Sequence, residues 1–517
     1  MSIGLRAAAA VMLLIGFYVL GVGLLVVVVG LDALMLYGNA LVLLLFGLPL
    51  SGAAFIVVVR AFYASLLLGS GKVSGVSVLE SEHSDLWAAV RAAADAAGTA
   101  APTFLWIDSR FNAAVFERTR WLGLRSGQRH LIIGAPMLVA LSPTKLDAVL
   151  AHEFGHFAGR DTRLLPVVMR GRAGLASALD TAAGFAADAK SGGWMLRGQP
   201  LIYALVRAYA VRFLTATQKV SRAQEYAADR ISAELCGRDV AADTLAEMSA
   251  YRAAYRHFRT WFADAGTGFG LVPHPNTLFA GFGSMLDESN WRDVVESERD
   301  APSPKKSSAF DSHPPIAERV AALRALPDDG RTQDTSRGRA VDSFAGTYDL
   351  LEAVAGLEPQ HLEKRRVDWD VLADTVARAH ARKAAQPLVD ALHLIKGAPP
   401  VLADFFDQIE AGQMELVHYR LLTPAQLRYA STGTTVVHEI GARALASTLP
   451  AWVMVELADA GLVRWTHSWS KVAVLKVDGA PADIDKALAA LLAAAPSAAA
   501  PAAGRLREIL RGTRIAV

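Results

Sequence analysis

The chain has 517 residues, 53% of them hydrophobic, and a formal net charge of +2 at pH 7. This length suits two or three domains, and so small a net charge provides no overall field for binding nucleic acid or an acidic partner. A single cysteine, Cys236, excludes an intramolecular disulfide and a zinc site built from several thiolates.

The first 68 residues predict a transmembrane helical hairpin. Residues 7–31 and 33–59 carry no charged side chain, and each stretch exceeds the ~20 residues that cross a bilayer as a helix. Asp32 and Asn39 indicate a short turn between them. A cleaved signal peptide fits less well, because the first stretch is long and a second follows at once. A buried core hairpin is the other alternative.

Basic residues flank this hairpin on one side only. Arg6 precedes the first stretch, Arg60 and Lys72 follow the second, and no basic residue lies between the two stretches. Positively charged flanks stay on the cytoplasmic side of a membrane. The sequence therefore predicts a multi-pass protein of the cell (inner or plasma) membrane with its catalytic domain in the cytoplasm.

A small antiparallel sheet is predicted after the hairpin. A helix at 84–97 is followed by three β-like runs at 104–107, 111–116 and 129–133, which turn residues separate. The edge strand of such a sheet can pair with an extended peptide. Asn112 and Ala113 lie on or near the second run.

A serine–proline pair at 142–143 predicts the start of a helix. This helix carries an H-E-x-x-H motif, His152-Glu153-Phe154-Gly155-His156. Residues four apart share a helical face, so His152 and His156 can present two imidazoles to one metal ion. Glu153 is placed to take a proton from a metal-bound water. Two ordinary histidines satisfied by polar neighbours are the alternative.

A third ligand is needed, because a catalytic zinc normally has three protein ligands and one open position. One zinc class supplies a third His after a glycine, but this chain has Gly159 followed by Thr162, which excludes that class. The remaining common choice is a Glu from a second helix, and Glu225 is the candidate. Asp229 shares its face and can accept the distal N–H of a ligand His. A solvated acidic face is the alternative.

Two apolar stretches at 164–186 and 200–220 lie between these motifs. Several arginines interrupt them: Arg170, Arg172, Arg207 and Arg212. Because arginines are costly within hydrocarbon, full membrane spans are not expected here, and additional membrane helices are the alternative. We predict long helices packed around the active site and close to the membrane.

Four motifs in this order resemble the HtpX-type and CAAX prenyl endopeptidase family of membrane zinc metalloproteases, of the gluzincin type. They are Asn112-Ala113, His152-Glu153-x-x-His156, Ser221-Arg222-x-x-Glu225-x-x-x-Asp229 and Ser312-His313-Pro314-Pro315-Ile316-Ala317-Glu318-Arg319. The resemblance covers about residues 1–326. It implies one Zn²⁺ held by His152, His156 and Glu225, with Asp229 orienting a ligand.

The resemblance also implies roles for residues outside the ligand set. Asn112, Ala113 and Arg319 would bind substrate, and His313 would stabilise the developing oxyanion. A turn-capping role is the alternative for Asn112, and a turn followed by a surface arginine is the alternative for the motif at 312–319.

The predicted fold class is mainly α (α+β). It comprises the transmembrane hairpin (1–68), a zincin-like catalytic domain with the small antiparallel sheet and the H-E-x-x-H helix (69–326), a linker (327–345) and a helical C-terminal accessory domain (346–517), with a strand at 472–477. A second His438-Glu439 pair lacks another histidine, because position 442 is alanine, and is read as structural.

These features predict a membrane-anchored zinc metalloendopeptidase that cleaves extended polypeptides, membrane proteins included, in membrane-protein quality control. One rival is a non-catalytic membrane scaffold that retains the zinc site, although a scaffold has no need of Glu153. Another is a CAAX-type protease of prenylated proteins, which would require a larger membrane chamber than two spans supply.

Overall fold

The fold is described from a computed structural model of the chain. The structure describes residues 3–38, 41–67, 73, 75–120, 125–158, 165–191, 199–302, 314–331, 334, 338–430, 434–479, 483–513, 515 and 517. Most of these residues are helical and the sheets are small, which confirms the predicted mainly α class.

Two long apolar helices form the N-terminal hairpin: α1 (Ile3–Tyr37) and α2 (Leu41–Leu67). Each contains a stretch long and apolar enough to cross a membrane: Ile15–Tyr37 and Gly47–Ser65. Asp32 is not in the turn but inside α1, where it is buried. A Cβ on Gly47 would lie 2.0 Å from the Asp32 carboxylate, so α2 accommodates this side chain at a glycine. Asn39 lies outside the described residues.

A four-stranded sheet follows, with helix α3 (Ser84–Ala96) between its first two strands: β1 (Val76–Val78), β2 (Phe104–Asp108), β3 (Ala113–Arg120) and β4 (Arg125–Gly134). The strand order is β1-β2-β4-β3. The sheet is mixed rather than wholly antiparallel, because β3 takes the edge and β4 returns between β2 and β3, parallel to β2. Ala113 is therefore the first residue of an edge strand.

Four helices follow the sheet: α4 (Ala135–Ala140), α5 (Pro143–Gly155), α6 (Leu165–Ser191) and α7 (Gln199–Cys236). The predicted helix at 200–220 and the segment carrying Glu225 form this one 38-residue helix α7. Both α6 and α7 pack against the hairpin in a shared core that includes Phe17, Val57, Ala61, Leu175, Ala178 and Phe213. Within the described ranges, neither helix qualifies as a membrane span.

The hairpin, the sheet and α3–α7 belong to a compact unit of residues 1–256 and 275–358. Its remaining helices are α8 (Arg238–Phe258), whose last two residues lie outside this unit, α9 (Pro275–Leu286), α10 (Ser289–Asp300), α11 (Ile316–Arg324), α12 (Ala340–Ser343) and α13 (Thr347–Gly356).

A second compact unit comprises residues 257–274 and 359–517. Its elements are β5 (Leu271–Pro273), β6 (Arg365–Val367), α14 (Trp369–Lys396), α15 (Leu402–Glu410), α16 (Met414–Leu421), α17 (Pro424–Ala430), α18 (Thr434–Asp459), β7 (Val463–Ser468), β8 (Val472–Val477), α19 (Ile484–Ala493) and α20 (Ala499–Arg511). The strand predicted at 472–477 is β8, which pairs antiparallel with β7. His438 lies on α18, where its Nδ1 is 3.0 Å from Nδ1 of His418.

These compact units divide the chain differently from the predicted domains. Residues at the predicted linker bond back to the first unit: the Ala340 N–H donates to the Leu141 carbonyl at 2.8 Å, and Arg339 Nη2 donates to the Gly283 carbonyl at 2.7 Å. Conversely, β5 lies within the predicted catalytic domain by residue number, but it pairs in parallel with β6 of the second unit. Long-range pairing, which composition does not encode, sets these boundaries.

Candidate metal centre

Helix α5 carries the H-E-x-x-H motif and begins at a serine cap. The Ser142 hydroxyl accepts a hydrogen bond from the Lys145 backbone N–H at 3.3 Å, and Pro143 occupies the first turn. The helix buries the apolar stripe that its periodicity predicts: Leu146, Val149, Leu150 and Phe154. Tertiary packing of this stripe fixes which face of α5 is left for the histidines.

The motif residues lie beside that stripe and are half-buried. His152 and Glu153 belong to the last turn of α5, and His156 caps the helix with right-handed helical backbone angles of φ −63° and ψ −16°. The helical path therefore continues through His156, which keeps the two imidazoles on one face. Their ring centroids are 4.8 Å apart, with the rings nearly perpendicular at 81°.

Helix α7 crosses α5 closely and brings two carboxylates to the histidines. A Cβ on Gly155 would lie 2.9 Å from Ala228 Cα, so this approach requires glycine. Glu225 and Asp229 flank Ala228 along α7, and each is only 4% exposed. This burial excludes the solvated acidic face that was the alternative for the pair.

His152, His156 and Glu225 present three candidate ligand atoms within 4.8 Å of one another. His152 Nε2 is 3.6 Å from Glu225 Oε2, and His156 Nε2 is 3.8 Å from Glu225 Oε1. Ligands at about 2.0–2.1 Å from a tetrahedral ion lie about 3.3 Å from one another. The separations and the donor types, two imidazole nitrogens and one carboxylate oxygen, therefore fit a zinc-sized ion.

The other nitrogen of His152 faces Asp229. His152 Nδ1 is 3.0 Å from Asp229 Oδ1. An ionised carboxylate can only accept, so a bond to Asp229 puts the proton of a neutral imidazole on Nδ1. The lone pair of Nε2 is then available on the side of Glu225, which is the tautomer that metal binding requires.

Arg319 on α11 joins the two carboxylates. Its Nη2 and Nε donate to Asp229 Oδ1 and Oδ2 at 2.6 and 2.8 Å, and its Nη1 is 3.0 Å from Glu225 Oε2. Arg319 is 6% exposed, so the alternative interpretation of this residue as a surface arginine is wrong. The bidentate contact fixes the rotamer of Asp229.

These contacts shift the pKa values of the cluster. Burial on its own raises the pKa of Asp229, but hydrogen bonds from Arg319 and His152 and their charges lower it to about 2. Burial would lower the pKa of Arg319, whereas the hydrogen bond and charge of Asp229 and the charges of Glu225 and Glu153 raise it. Asp229 and Arg319 are therefore both charged throughout the neutral range.

A cavity of about 280 Å³ adjoins the Asp229–Arg319 pair, lined also by Tyr226, Leu323 and Leu326. None of the three candidate ligand residues lines it. This cavity is therefore not the space that the three candidate ligand residues face.

The remaining predicted site residues are distributed as follows. Ala113 begins edge strand β3, and Asn112 precedes it with its side chain exposed. The Asn112 carbonyl accepts from the Gly134 N–H at 2.8 Å, which ties this corner to the end of β4. Strand β3 contacts α5. His313 lies outside the described residues.

Two positioning residues are not evident from the sequence. Gly155 is the unspecified position before His156, and only its contact with Ala228 reveals why it is small. Lys145 pairs with Glu247 of α8 at 2.5 Å, and Glu247 is 1% exposed. A lysine on an apolar helix gives no signal of a buried partner 102 residues away.

Comparison with known proteins gives matches that include the region around these residues. Residues 82–326 match the family model described as Peptidase family M48. The chain is similar to a protein named "Protease HtpX homolog" from Gemmatimonas aurantiaca, with 30% identity over 195 residues, 36% of this chain and 57% of that relative. The chain thus spans less than two thirds of the length of this relative. No solved structure matches it significantly.

Proposed function

Because residues 82–326 match the model of peptidase family M48, we propose that this chain is a membrane-anchored, zinc-dependent endopeptidase acting on extended polypeptides. The observation that carries the proposal is the convergence of ligating atoms from His152, His156 and Glu225 within 4.8 Å. Two imidazoles and one carboxylate are the ligands of catalytic zinc sites that keep a position open.

Zinc, when bound, supplies a Lewis acid that acidifies water and polarises a scissile carbonyl. Glu153 is the general base: it accepts the proton that the attacking water loses and delivers it to the leaving amine nitrogen. Its half-buried position on α5, between the two histidines, supports this role.

Two buried residues act through the ligands. Asp229 holds the Nδ1 proton of His152 and so keeps Nε2 unprotonated. Arg319 fixes the carboxylates of both Asp229 and Glu225, which makes it a positioning residue in this proposal rather than the substrate contact implied by the family resemblance.

Substrate would pair with β3 as an added strand. An edge strand offers unpaired backbone groups to an extended peptide, and β3 both is the edge of its sheet and contacts the helix of the metal centre. Asn112 and Ala113 lie where such a peptide would start. The oxyanion role of His313 stays a prediction.

A location next to the membrane is supported by α7. Phe213 of this helix packs in the hairpin core, and Glu225 lies twelve residues further on the same helix, about 18 Å along its axis. A site so close to two apolar helices suits membrane-protein quality control, with the catalytic domain in the cytoplasm.

Replacing Glu153 with Gln tests the mechanism. Hydrolysis of a fluorogenic peptide by the purified full-length protein should fall by about 10²–10⁴-fold, since an amide cannot accept the proton, while zinc content measured by mass spectrometry stays unchanged. Glu439→Gln, in the other His-Glu pair, is the matched control and should retain full activity. Hydrolysis that survives either Glu153→Gln or a chelator contradicts the proposal.

Replacing Glu225 with Ala tests the third ligand. The variant should lose bound zinc, because two histidines alone complete too little of the coordination shell. Glu234→Ala, at an exposed position of the same helix, should keep its zinc. Full zinc occupancy in Glu225→Ala would show that this carboxylate is not a ligand.

A further inference from the structure

The second compact unit contains a cavity of about 470 Å³ that the proposed peptidase mechanism does not use. Three segments of that unit line it: a π-helical turn at Arg259–Ala263, the first half of α14 and the β7–β8 hairpin. The side chains that define its chemistry are Trp261, Phe262, Trp369, Leu372, Trp465 and Lys471. Cavities of about 300–1,000 Å³ with apolar and aromatic walls are typical ligand sites.

The cavity has an apolar floor and a basic mouth. Phe262 and Leu372 are buried, whereas Trp261 is 49% exposed and Lys471 is exposed. Among the lining residues that the structure describes, none carries a carboxylate. The wall therefore suits an apolar or aromatic group, and the mouth suits a negative charge.

Two acidic side chains next to the cavity are held against the backbone of β7. Asp370 and Asp374 of α14 accept hydrogen bonds from the backbone N–H groups of His467 and Trp465 at 2.8 and 3.0 Å. Asp374 is also paired with Arg378 at 2.6 Å. Both carboxylates thus accept hydrogen bonds from backbone N–H groups of β7.

Aromatic packing holds the wall in place. The Trp369 ring lies 5.1 Å from Trp469 and 5.5 Å from His467, and Phe262 lies 5.3 Å from Trp469. Burial lowers the pKa of His467 to about 4 although Asp370 opposes this, so the ring is neutral at pH 7. Its Nε2 is buried and has no hydrogen-bond partner among the described residues.

Two uncommon backbone conformations meet at the cavity. Val472 has φ +67°, unusual for a β-branched residue, and the Ala473 N–H donates to the Lys471 carbonyl at 2.7 Å across it, forming a tight γ-turn. The segment Arg259–Ala263 forms a π-helical turn, a feature frequent at functional sites. Backbone strain of this kind is concentrated at ligand sites.

We propose that this cavity binds the C-terminal residue of a polypeptide, with an apolar side chain against Trp369 and Trp465 and the terminal carboxylate against Lys471. The combination of an aromatic wall with one flexible ammonium group matches an apolar group and a single carboxylate on one residue. The choice of a polypeptide rests on the proposed function, because a peptidase domain in the same chain acts on that class of molecule. The cavity would then retain a polypeptide by its end.

Binding of defined peptides tests this proposal. Full-length Glu153→Gln protein in detergent is titrated into fluorescein-labelled decapeptides that end in Phe with a free carboxylate, in Phe with an amide, or in Asp, and fluorescence anisotropy is recorded. The Phe carboxylate peptide should bind at least tenfold more tightly than the other two. Lys471→Gln should remove that preference, whereas Lys476→Gln, exposed on β8 outside the cavity, should keep it.

Filling the cavity provides a second variant that leaves the charge in place. Ala373 lines it from α14, so Ala373→Leu should weaken binding of the Phe carboxylate peptide at least tenfold. Equal affinity for the acid and the amide overturns the proposal, as does unchanged binding in both Lys471→Gln and Ala373→Leu.

The test of peptide binding by the cavity can fail or succeed independently of the proposed peptidase activity. The binding protein is the Glu153→Gln variant, so no cleavage is needed, and adding Glu225→Ala to it should leave peptide affinity unchanged. Affinity lost with Glu225→Ala would assign the binding to the metal centre and overturn the cavity. Carboxylate-dependent binding by a chain that never hydrolyses peptides would support the cavity and contradict the endopeptidase.

Discussion

The two nitrogens of His152 have different partners, and this separation decides what the residue can do. Nδ1 lies 3.0 Å from Asp229 and Nε2 lies 3.6 Å from Glu225. Because the pKa of Asp229 is about 2, the carboxylate remains an acceptor at any pH in the neutral range. The tautomer with an unprotonated Nε2, the form that a metal ion binds, is therefore built into the fold.

At the same scale, Lys145 supports the N-terminal half of the metal-centre helix. Its ammonium is 2.5 Å from the Glu247 carboxylate, which is almost fully buried. Burial raises the pKa of Glu247 above its ordinary 4.5, and the charge and hydrogen bond of Lys145 oppose that rise. Removing the lysine would leave an uncompensated carboxylate in the interior.

Lys145→Met should destabilise the protein by about 3 kcal/mol at pH 7, measured as a lower melting temperature in detergent. Without Lys145 the folded-state pKa of Glu247 rises further above its unfolded value. An acid with a raised folded pKa loses stability as pH rises, so the penalty should be largest at neutral pH and shrink towards pH 4.5.

Glu247→Gln in the Lys145→Met background is the control for this effect. The double variant has no carboxylate to bury, so its stability relative to wild type should depend less on pH. A penalty in Lys145→Met that is equal at pH 5 and pH 7 would contradict the electrostatic explanation.

At the scale of secondary-structure elements, the metal centre depends on one helix crossing. Helices α5 and α7 meet where Gly155 faces Ala228, and the Ser232 hydroxyl donates to the Ala148 carbonyl at 2.8 Å one to two turns further along. The distance between the helices sets the distance from Glu225 to both histidines. A change of separation would therefore act on metal binding without touching a ligand.

Gly155→Ala should separate these helices, since its Cβ would lie 2.9 Å from a backbone atom of α7. We expect a loss of about 1–3 kcal/mol in stability and a zinc affinity reduced at least tenfold, measured by competition with a chromophoric chelator. Gly184→Ala on α6 has open space around its Cβ and should be neutral or stabilising by about 0.5–1 kcal/mol. Wild-type zinc affinity in Gly155→Ala would show that α5 and α7 can move apart without displacing the metal ligands.

At the scale of the whole molecule, the hairpin is part of the first compact unit rather than a detachable anchor. Val57 and Ala61 of α2 share a core with Leu175 of α6 and Phe213 of α7. Helix α7 then continues to Glu225. Removing the hairpin would expose the apolar faces of the two helices that lead to the metal centre.

A chain lacking residues 1–68 should therefore fail to give a stable, metal-binding protein. We expect aggregation without detergent and loss of the melting transition of wild type, because the apolar faces of α6 and α7 lose their partners. Size-exclusion chromatography and zinc analysis measure the result. A soluble, monodisperse truncated protein with full zinc content would contradict this expectation.

Features that depend on short-range periodicity and composition can be read from the amino-acid sequence. The spacing of His152 and His156 places both on one helical face, and the uncharged stretches before residue 60 determine two long apolar helices. Glu225 and Asp229 could be proposed as partners, because four residues also make one helical turn.

The long-range contacts of these residues become visible in the folded chain. It buries the two carboxylates against α5, brings Arg319 onto them, inserts β4 between β2 and β3, and returns residues 338–358 to the first unit. Such contacts join segments far apart in the chain and result from side-chain shape and burial across helix and strand crossings. No local pattern of residues specifies them.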